Sequence, residues 1–232
     1  MRQAPIRRVR PDWHSGARAT VPAQPTTVQG SDFVSTSLIY RNRAVYELMM
    51  RGLYGRHYAA RYRAIAELVP EGADVLDVCC GPATLYTRYL RHRNVRYTGL
   101  DLNEKFVAGV TRAGGAGRVW NMRSSQPLPP ADVVIMQASL YHFLPDAAPV
   151  LDRMLAAARE RVVLAEPVRN LATSRNRLLA LIGQRFTDAG DGSQAHRFTE
   201  ASLADLMRGY RARIVRDELI AGGREKLYVL AT

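Results

Sequence analysis

Residues 73–86, Ala73-Asp74-Val75-Leu76-Asp77-Val78-Cys79-Cys80-Gly81-Pro82-Ala83-Thr84-Leu85-Tyr86, constrain this chain more than any other stretch. A short apolar strand carries an acid near its end, Asp77. A small-residue loop built on Gly81 follows, and a helix opens near Thr84 and runs through Leu90. A second strand, Val95 to Leu100, is tipped by Asp101. Strand, tight turn, helix and a second strand ending in a carboxylate form a βαβ unit of the kind that cradles a nucleoside. Asp77 and Asp101 stand 24 residues apart, close to the roughly 20-residue spacing at which an acid grips ribose hydroxyls.

The rest of the chain continues the alternation. Strands are expected near 74–79, 95–100, 117–121, 132–137 and 161–166, with helices between them, the pattern of a parallel sheet covered on both faces. Upstream, Leu38, Ile39, Val45, Leu48, Met49, Leu53, Tyr58, Tyr62, Ile65 and Leu68 recur at helical intervals. Gly52 and Gly55 divide that stretch into two helices. After Pro167 come a polar stretch, an apolar helix at 178–182 and a Gly-rich loop at 188–192. Thr199 is placed to cap the next helix. Last, Ala212 to Glu218 and Lys226 to Leu230 alternate around Gly222-Gly223, which predicts a β-hairpin at the sheet edge.

Composition sets bounds. The 232 residues suit one α/β domain with a full core. No apolar run approaches the roughly 18 residues of a membrane span, and no signal-peptide core is visible. The only cysteines, Cys79 and Cys80, are adjacent. Neighbours in a strand face opposite ways, so they do not pair, and a reducing cytoplasm is the expected location. The net charge of +12 raises nucleic acid as a partner. It is discounted: Lys105 and Lys226 are the only lysines, and part of the charge sits in the first thirty residues. That stretch, with Pro5, Pro11, Pro22 and Pro25 and no apolar period, reads as a disordered basic tail.

Asp77-Val78-Cys79-Cys80-Gly81-Pro82-Ala83 resembles the first motif of the class I S-adenosylmethionine (SAM)-dependent methyltransferases, acid-x-Gly-x-Gly-x-Gly. Only the middle glycine is kept; Cys79 and Ala83 replace the outer two, and positive φ is harder for both. Tyr97 to Asn103 resembles the family's second motif, Ala131 to Gln137 its fourth strand, Arg161 to Pro167 its fifth, and the C-terminus its closing strand pair. The resemblance covers about 35–232. It implies an α/β, Rossmann-like doubly wound sheet, mostly parallel, with a C-terminal antiparallel hairpin and N-terminal helices. The domains expected are the tail at 1–30, a helical lid at 31–70 and a SAM-binding domain at 71–232, in which an insert at about 168–198 serves the acceptor.

The resemblance also implies the site. Asp77 would face the amino-acid end of SAM, Gly81 and Cys79 would give close backbone approach, and Asp101 would accept both ribose hydroxyls. Leu102, Gln137 and the lid residue Tyr40 complete the expected cofactor set, with Asn121 in place of the acid that often faces the adenine amino group. Asn103 is read first as a helix cap. The loop Gln137 to Asp146 follows strand four, on the edge where open α/β sheets bind ligands. His142 there is the first candidate base, since histidine titrates near neutrality, and Glu166 the second. Tyr141, Arg169 and His196 are expected on the acceptor side. The implied function is methyl transfer to a small or medium organic acceptor. An RNA-modifying methyltransferase and a SAM-binding protein without transfer activity stay open as alternatives. The Pro-Pro-aromatic sequence common after strand four in base methylases is missing at Gln137 to Leu140, which counts against exocyclic-amine chemistry on nucleobases.

Overall fold

The first strand, β1 (Asp74–Val78), lies inside the sheet, and its composition says why: Val75, Leu76, Asp77 and Val78 are all buried. Strands covered on both faces read as continuous apolar runs rather than alternations. The computed structural model describes residues 43–169 and 197–232, with side chains from residue 47 onward. It contains a seven-stranded sheet. β2 (Arg96–Asp101), β3 (Ala116–Val119), β4 (Ala131–Gln137) and β5 (Ala158–Pro167) join β1 in parallel, and β6 (Ile214–Ile220) and β7 (Glu225–Ala231) close it as an antiparallel pair. The order is β3-β2-β1-β4-β5-β7-β6. The chain runs outward from β1 to β3, then returns to pair β4 with β1. Loops leaving β1 and β4 therefore diverge at the carboxyl edge, which opens a crevice there.

Two layers of helix cover the faces. α1 (Arg43–Tyr54) and α2 (Tyr58–Ala66) pack Tyr54, Tyr58, Tyr62 and Ile65 onto the face of Val75, Val133, Ile135 and Val163. α3 (Glu104–Arg112) adds Val110 to the same layer. α4 (Ala148–Ala157) and α5 (Glu200–Met207) bury Leu151, Met154, Leu203 and Met207 against Leu76, Val134, Met136 and Leu164 on the opposite face. α5 begins as its sequence predicts: Thr199 and Ser202 form a reciprocal capping box. Asn103 likewise caps α3, accepting the Lys105 N–H at 3.0 Å.

Four local expectations change. Gly52 stays inside α1; the break falls at Gly55, where φ is +52° and a three-residue 3₁₀ turn separates the helices. A left-handed residue ends a helix, whereas a glycine with ordinary dihedrals only weakens it. The helix after Gly81 opens at Thr84 but winds over Tyr86–Leu90 as a π-helix. The third strand ends at Val119, before Asn121, and the sixth starts at Ile214 because 208–213 form a 3₁₀ stretch. The tail at 1–30, Tyr40, the helix at 178–182, the loop at 188–192 and His196 lie outside the described residues. Among the described residues, no helix is long and apolar enough to cross a membrane.

Candidate active site

The loop after β1 turns by left-handed residues at alternate positions: φ is +57° at Cys79, +54° at Gly81 and +52° at Ala83. The two replaced glycines thus keep the backbone a glycine would give. That conformation costs an L-residue about 1–2 kcal/mol. Packing offsets part of it, since Ala83 is buried and Cys79 lies against the core. Beside Gly81 the space is open, and a Cβ built there would meet nothing within 4 Å.

Asp101, at the tip of β2, holds this loop. Its Oδ2 accepts the Gly81 N–H at 2.8 Å, and its Oδ1 accepts the Asn103 N–H at 2.8 Å. The carboxylate is thereby fixed at both oxygens, with lone pairs to spare on each. Desolvation raises its pKa, opposed by those two N–H bonds. Asp77 lies deeper. Its Oδ2 accepts the Tyr97 hydroxyl at 2.6 Å, and burial pushes its pKa up to about 7, against the lowering effect of Tyr97 and with a further push from Asp101. Desolvation and these two acids also hold the Cys79 and Cys80 thiols well above their usual range, so both stay protonated. Leu102, next to Asp101, is 67% exposed, an apolar wall open to a planar ring. Asn121 is exposed, and its Oδ1 is engaged locally by the Arg123 N–H at 2.9 Å. One lone pair of that oxygen is used by this bond, and the second retains acceptor capacity.

The neighbouring loop leaves β4 through Ala138, with φ +53°. Glu166, at the end of β5, is fully buried, and its Oε1 accepts the N–H groups of Ser139 and Leu140, both at 2.7 Å. Burial raises its pKa to about 8; the two N–H bonds oppose this, and Glu225 adds to it. Among the described residues its Oε2 has no hydrogen-bond partner. This geometry anchors the loop. It does not present a base to an incoming acceptor, so Glu166 acts here as the support of the loop that carries the other candidates. Tyr141 and His142 sit on a 3₁₀ turn, Leu140–Phe143, with ring centroids 4.0 Å apart. Both are half-buried, and Arg123 donates to the His142 carbonyl at 2.8 Å.

Gln137 turns toward the far side of the edge, its Nε2 3.5 Å from Glu225 Oε2. Glu225 belongs to a buried cluster that the sequence reading missed. Arg61 of α2 is 2% exposed and pairs with Glu225 Oε1 at 2.6 Å, and the Tyr54 hydroxyl donates to the same oxygen. The Arg61 guanidinium lies 4.2 Å from the Tyr54 ring centroid. A signal existed: Tyr58, Arg61, Tyr62 and Ile65 fall at i, i+3, i+4 and i+7, so Arg61 occupies the apolar stripe. Tyr97, which holds Asp77, and Arg197, whose Cζ lies 4.5 Å from the Tyr141 ring centroid, were also missed. Arg169 is exposed, with its guanidinium about 3.4 Å from where a Cβ on Gly223 would sit.

A doubly wound parallel sheet that ends in an antiparallel β7–β6 pair, with an acid at the tip of β2 tied to the loop after β1, is the fold of the class I SAM-dependent methyltransferases. Solved structures share it. The magnesium protoporphyrin IX methyltransferase of Synechocystis PCC 6803, with bound SAH, superposes with a TM-score of 0.56 at 19% identity, covering 82% of this chain and 87% of that one. An O-methyltransferase family 2 protein from Planctomyces limnophilus, in complex with apigenin, gives 0.53 at 17% identity, over 82% and 62% of the two chains. The chain belongs to the family of the methionine biosynthesis protein MetW, whose model matches residues 59–186. Among curated relatives, a trans-aconitate 2-methyltransferase of Mycobacterium tuberculosis is 33% identical over 116 residues, 49% of this chain. The match spans 38% of that relative's length.

Proposed function

We propose that this protein transfers a methyl group from SAM to a small or medium organic acceptor. The observation that carries the reading is Asp101, a carboxylate held by the Gly81 and Asn103 N–H groups at the mouth of the crevice. Its free lone pairs suit a ribose diol, and the open space beside Gly81 suits close backbone approach. Leu102 offers an apolar face to the adenine ring. Asp77, buried beneath the loop, offers its carboxyl to the positively charged end of the cofactor, a charge that would favour its ionised form on binding. Bound SAM would supply an electrophilic methyl group on a sulfonium, so the protein need not provide a nucleophile. Tyr141 and His142 border the crevice from the β4 side and orient the acceptor, which is a large share of such catalysis. His142 takes the proton where the acceptor is an O–H or N–H group. Glu166 keeps the loop carrying both in register. The family resemblance adds Tyr40 to the cofactor side and His196 to the acceptor side. The reaction belongs in the cytoplasm, where the two thiols beside the cofactor stay reduced.

Titration calorimetry tests the cofactor step. SAM and S-adenosylhomocysteine (SAH) should bind in the micromolar range, and a nicotinamide dinucleotide should give no heat. The reverse result would overturn the reading. Once an acceptor is in hand, His142→Gln should lower turnover by about 10²–10⁴-fold while leaving SAH affinity unchanged. Normal turnover in that variant across mildly acidic to mildly alkaline pH would remove His142 as a base.

A further inference from the structure

Arginines at the two ends of the sheet are held differently. At the amino-terminal foot, Arg159 pairs with Asp74 and with Asp132, and Arg96 pairs with Asp74. Elsewhere on the surface Arg161 meets Glu160, Arg208 meets Asp205 and Arg216 meets Glu218. At the carboxyl edge two exposed guanidiniums have no acidic partner among the described residues. Arg169 stands two residues beyond β5, beside Gly223. Arg197 lies over the Tyr141 ring at 4.5 Å. Four acids of this edge are committed inward: Asp77 to Tyr97, Asp101 to two backbone N–H groups, Glu166 to two more, and Glu225 to Arg61 and Tyr54. Asp146, exposed on the β4 loop, forms an ion pair with neither arginine.

We propose that the acceptor is an organic acid whose carboxylate is bound by Arg197 propped on Tyr141, with Arg169 as a second cation at the same edge; the proposal rests on the methyl-transfer reading above. A guanidinium over an aromatic face is held flat by cation–π attraction, and its N–H edge stays free. That edge matches a carboxylate in a two-point, charge-assisted geometry. Cations left unneutralised at the mouth of a crevice also raise the local concentration of anions. Glu200, exposed three residues beyond Arg197 in the first turn of α5, lies 3.9 Å from Lys226 Nζ and forms no ion pair with Arg197. Tyr141 thus has two tasks: it walls the pocket and it aims the arginine.

The test has two stages. SAH is titrated first by calorimetry. The SAH-loaded protein is then screened by thermal shift against a panel of small aliphatic and aromatic carboxylic acids, each beside its neutral amide and its phosphate ester counterpart. Acids should be selected over both, and Arg197→Gln should weaken their binding at least tenfold with SAH affinity unchanged. Arg197→Lys should recover part of the loss. Arg211→Gln, at an exposed arginine outside this edge, should change nothing. Absence of SAH binding overturns the methyl-transfer reading and this proposal with it. SAH binding without preference for acids, a preference for phosphate esters, or equal loss in Arg197→Gln and Arg211→Gln overturns this proposal alone.

Discussion

The two halves of the sheet are built on different scales. The cofactor half, β1 to β3, is assembled from near neighbours: Asp101 reaches Gly81 across 20 positions, and Tyr97 reaches Asp77 across 20. The acceptor half, β4 to β7, depends on distant partners. Tyr54 and Glu225 are 171 positions apart, and Gln137 and Glu225 are 88 apart. A local unit can be carried by a short motif; a long-range one is fixed only by the fold around it. On the proposed reading, nucleoside binding and acceptor choice fall to separable parts of the chain.

The largest expected effect strikes the acceptor half. Arg61 and Glu225 are both buried, and removing one partner leaves an uncompensated buried charge. Arg61→Met or Glu225→Leu should each cost about 3–5 kcal/mol. The double variant should cost less than the sum, because it removes both charges. Denaturant unfolding of the four proteins checks this. Additive costs would show that the pair does not tie α2 to β7, and the contrast between the halves would weaken.

Asp101→Ala strikes the cofactor half. A charge-assisted hydrogen bond contributes roughly 1.5–3 kcal/mol, so SAH affinity should fall at least about tenfold. The melting temperature should move much less than in Arg61→Met, since the lost bonds lie at a half-exposed strand tip. Unchanged affinity in a folded Asp101→Ala protein would break the assignment of this half to the nucleoside.

The third prediction spans both halves and concerns pH. Asp77 rises from 3.8 to about 7 and Glu166 from 4.5 to about 8. Between the unfolded and folded values the native state holds more protons than the unfolded state, so stability falls as pH rises. The contribution is complete below pH 4 and lost by about pH 8. Melting temperature should therefore decline from pH 5 to pH 8 in the ligand-free protein. Glu166→Gln still offers a carbonyl oxygen to Ser139 and Leu140, and should roughly halve that slope. A slope unchanged in Glu166→Gln would place the titration elsewhere.

The same division explains what the sequence made legible. The sheet, the Asp77–Gly81–Asp101 unit, the caps at Asn103 and Thr199 and the terminal hairpin all follow from patterns within about thirty residues. Arg61 and Glu225 did not, because a charged residue in a helical stripe or at a strand start reads as surface until its partner is known. Glu166 was visible as a strand-end acid, but whether its oxygens face a ligand or two backbone N–H groups depends on the turn at Ala138. The π-helical winding of Tyr86–Leu90 has no sequence signal that periodicity can detect.

The smallest effect concerns the glycine signature itself. Gly81 and Ala83 have the same left-handed backbone, φ +54° and +52°. At Gly81 a methyl group meets nothing within 4 Å, so Gly81→Ala should cost only the backbone term, about 1–2 kcal/mol. Ala83→Gly relieves a similar term. It also gives up roughly 0.8 kcal/mol for a buried methyl and about 0.4–1 kcal/mol for added freedom in the unfolded chain. The three contributions nearly cancel, so Ala83→Gly should change stability by less than about 1 kcal/mol and leave SAH affinity unaltered. Cancellation of this kind is how a loop loses two glycines and keeps their geometry. Equilibrium unfolding of both variants with SAH titration decides it. A large loss in Ala83→Gly would mean that the Ala83 methyl, 1% exposed, holds the loop in place, and that the cofactor half too depends on packing beyond its own motif.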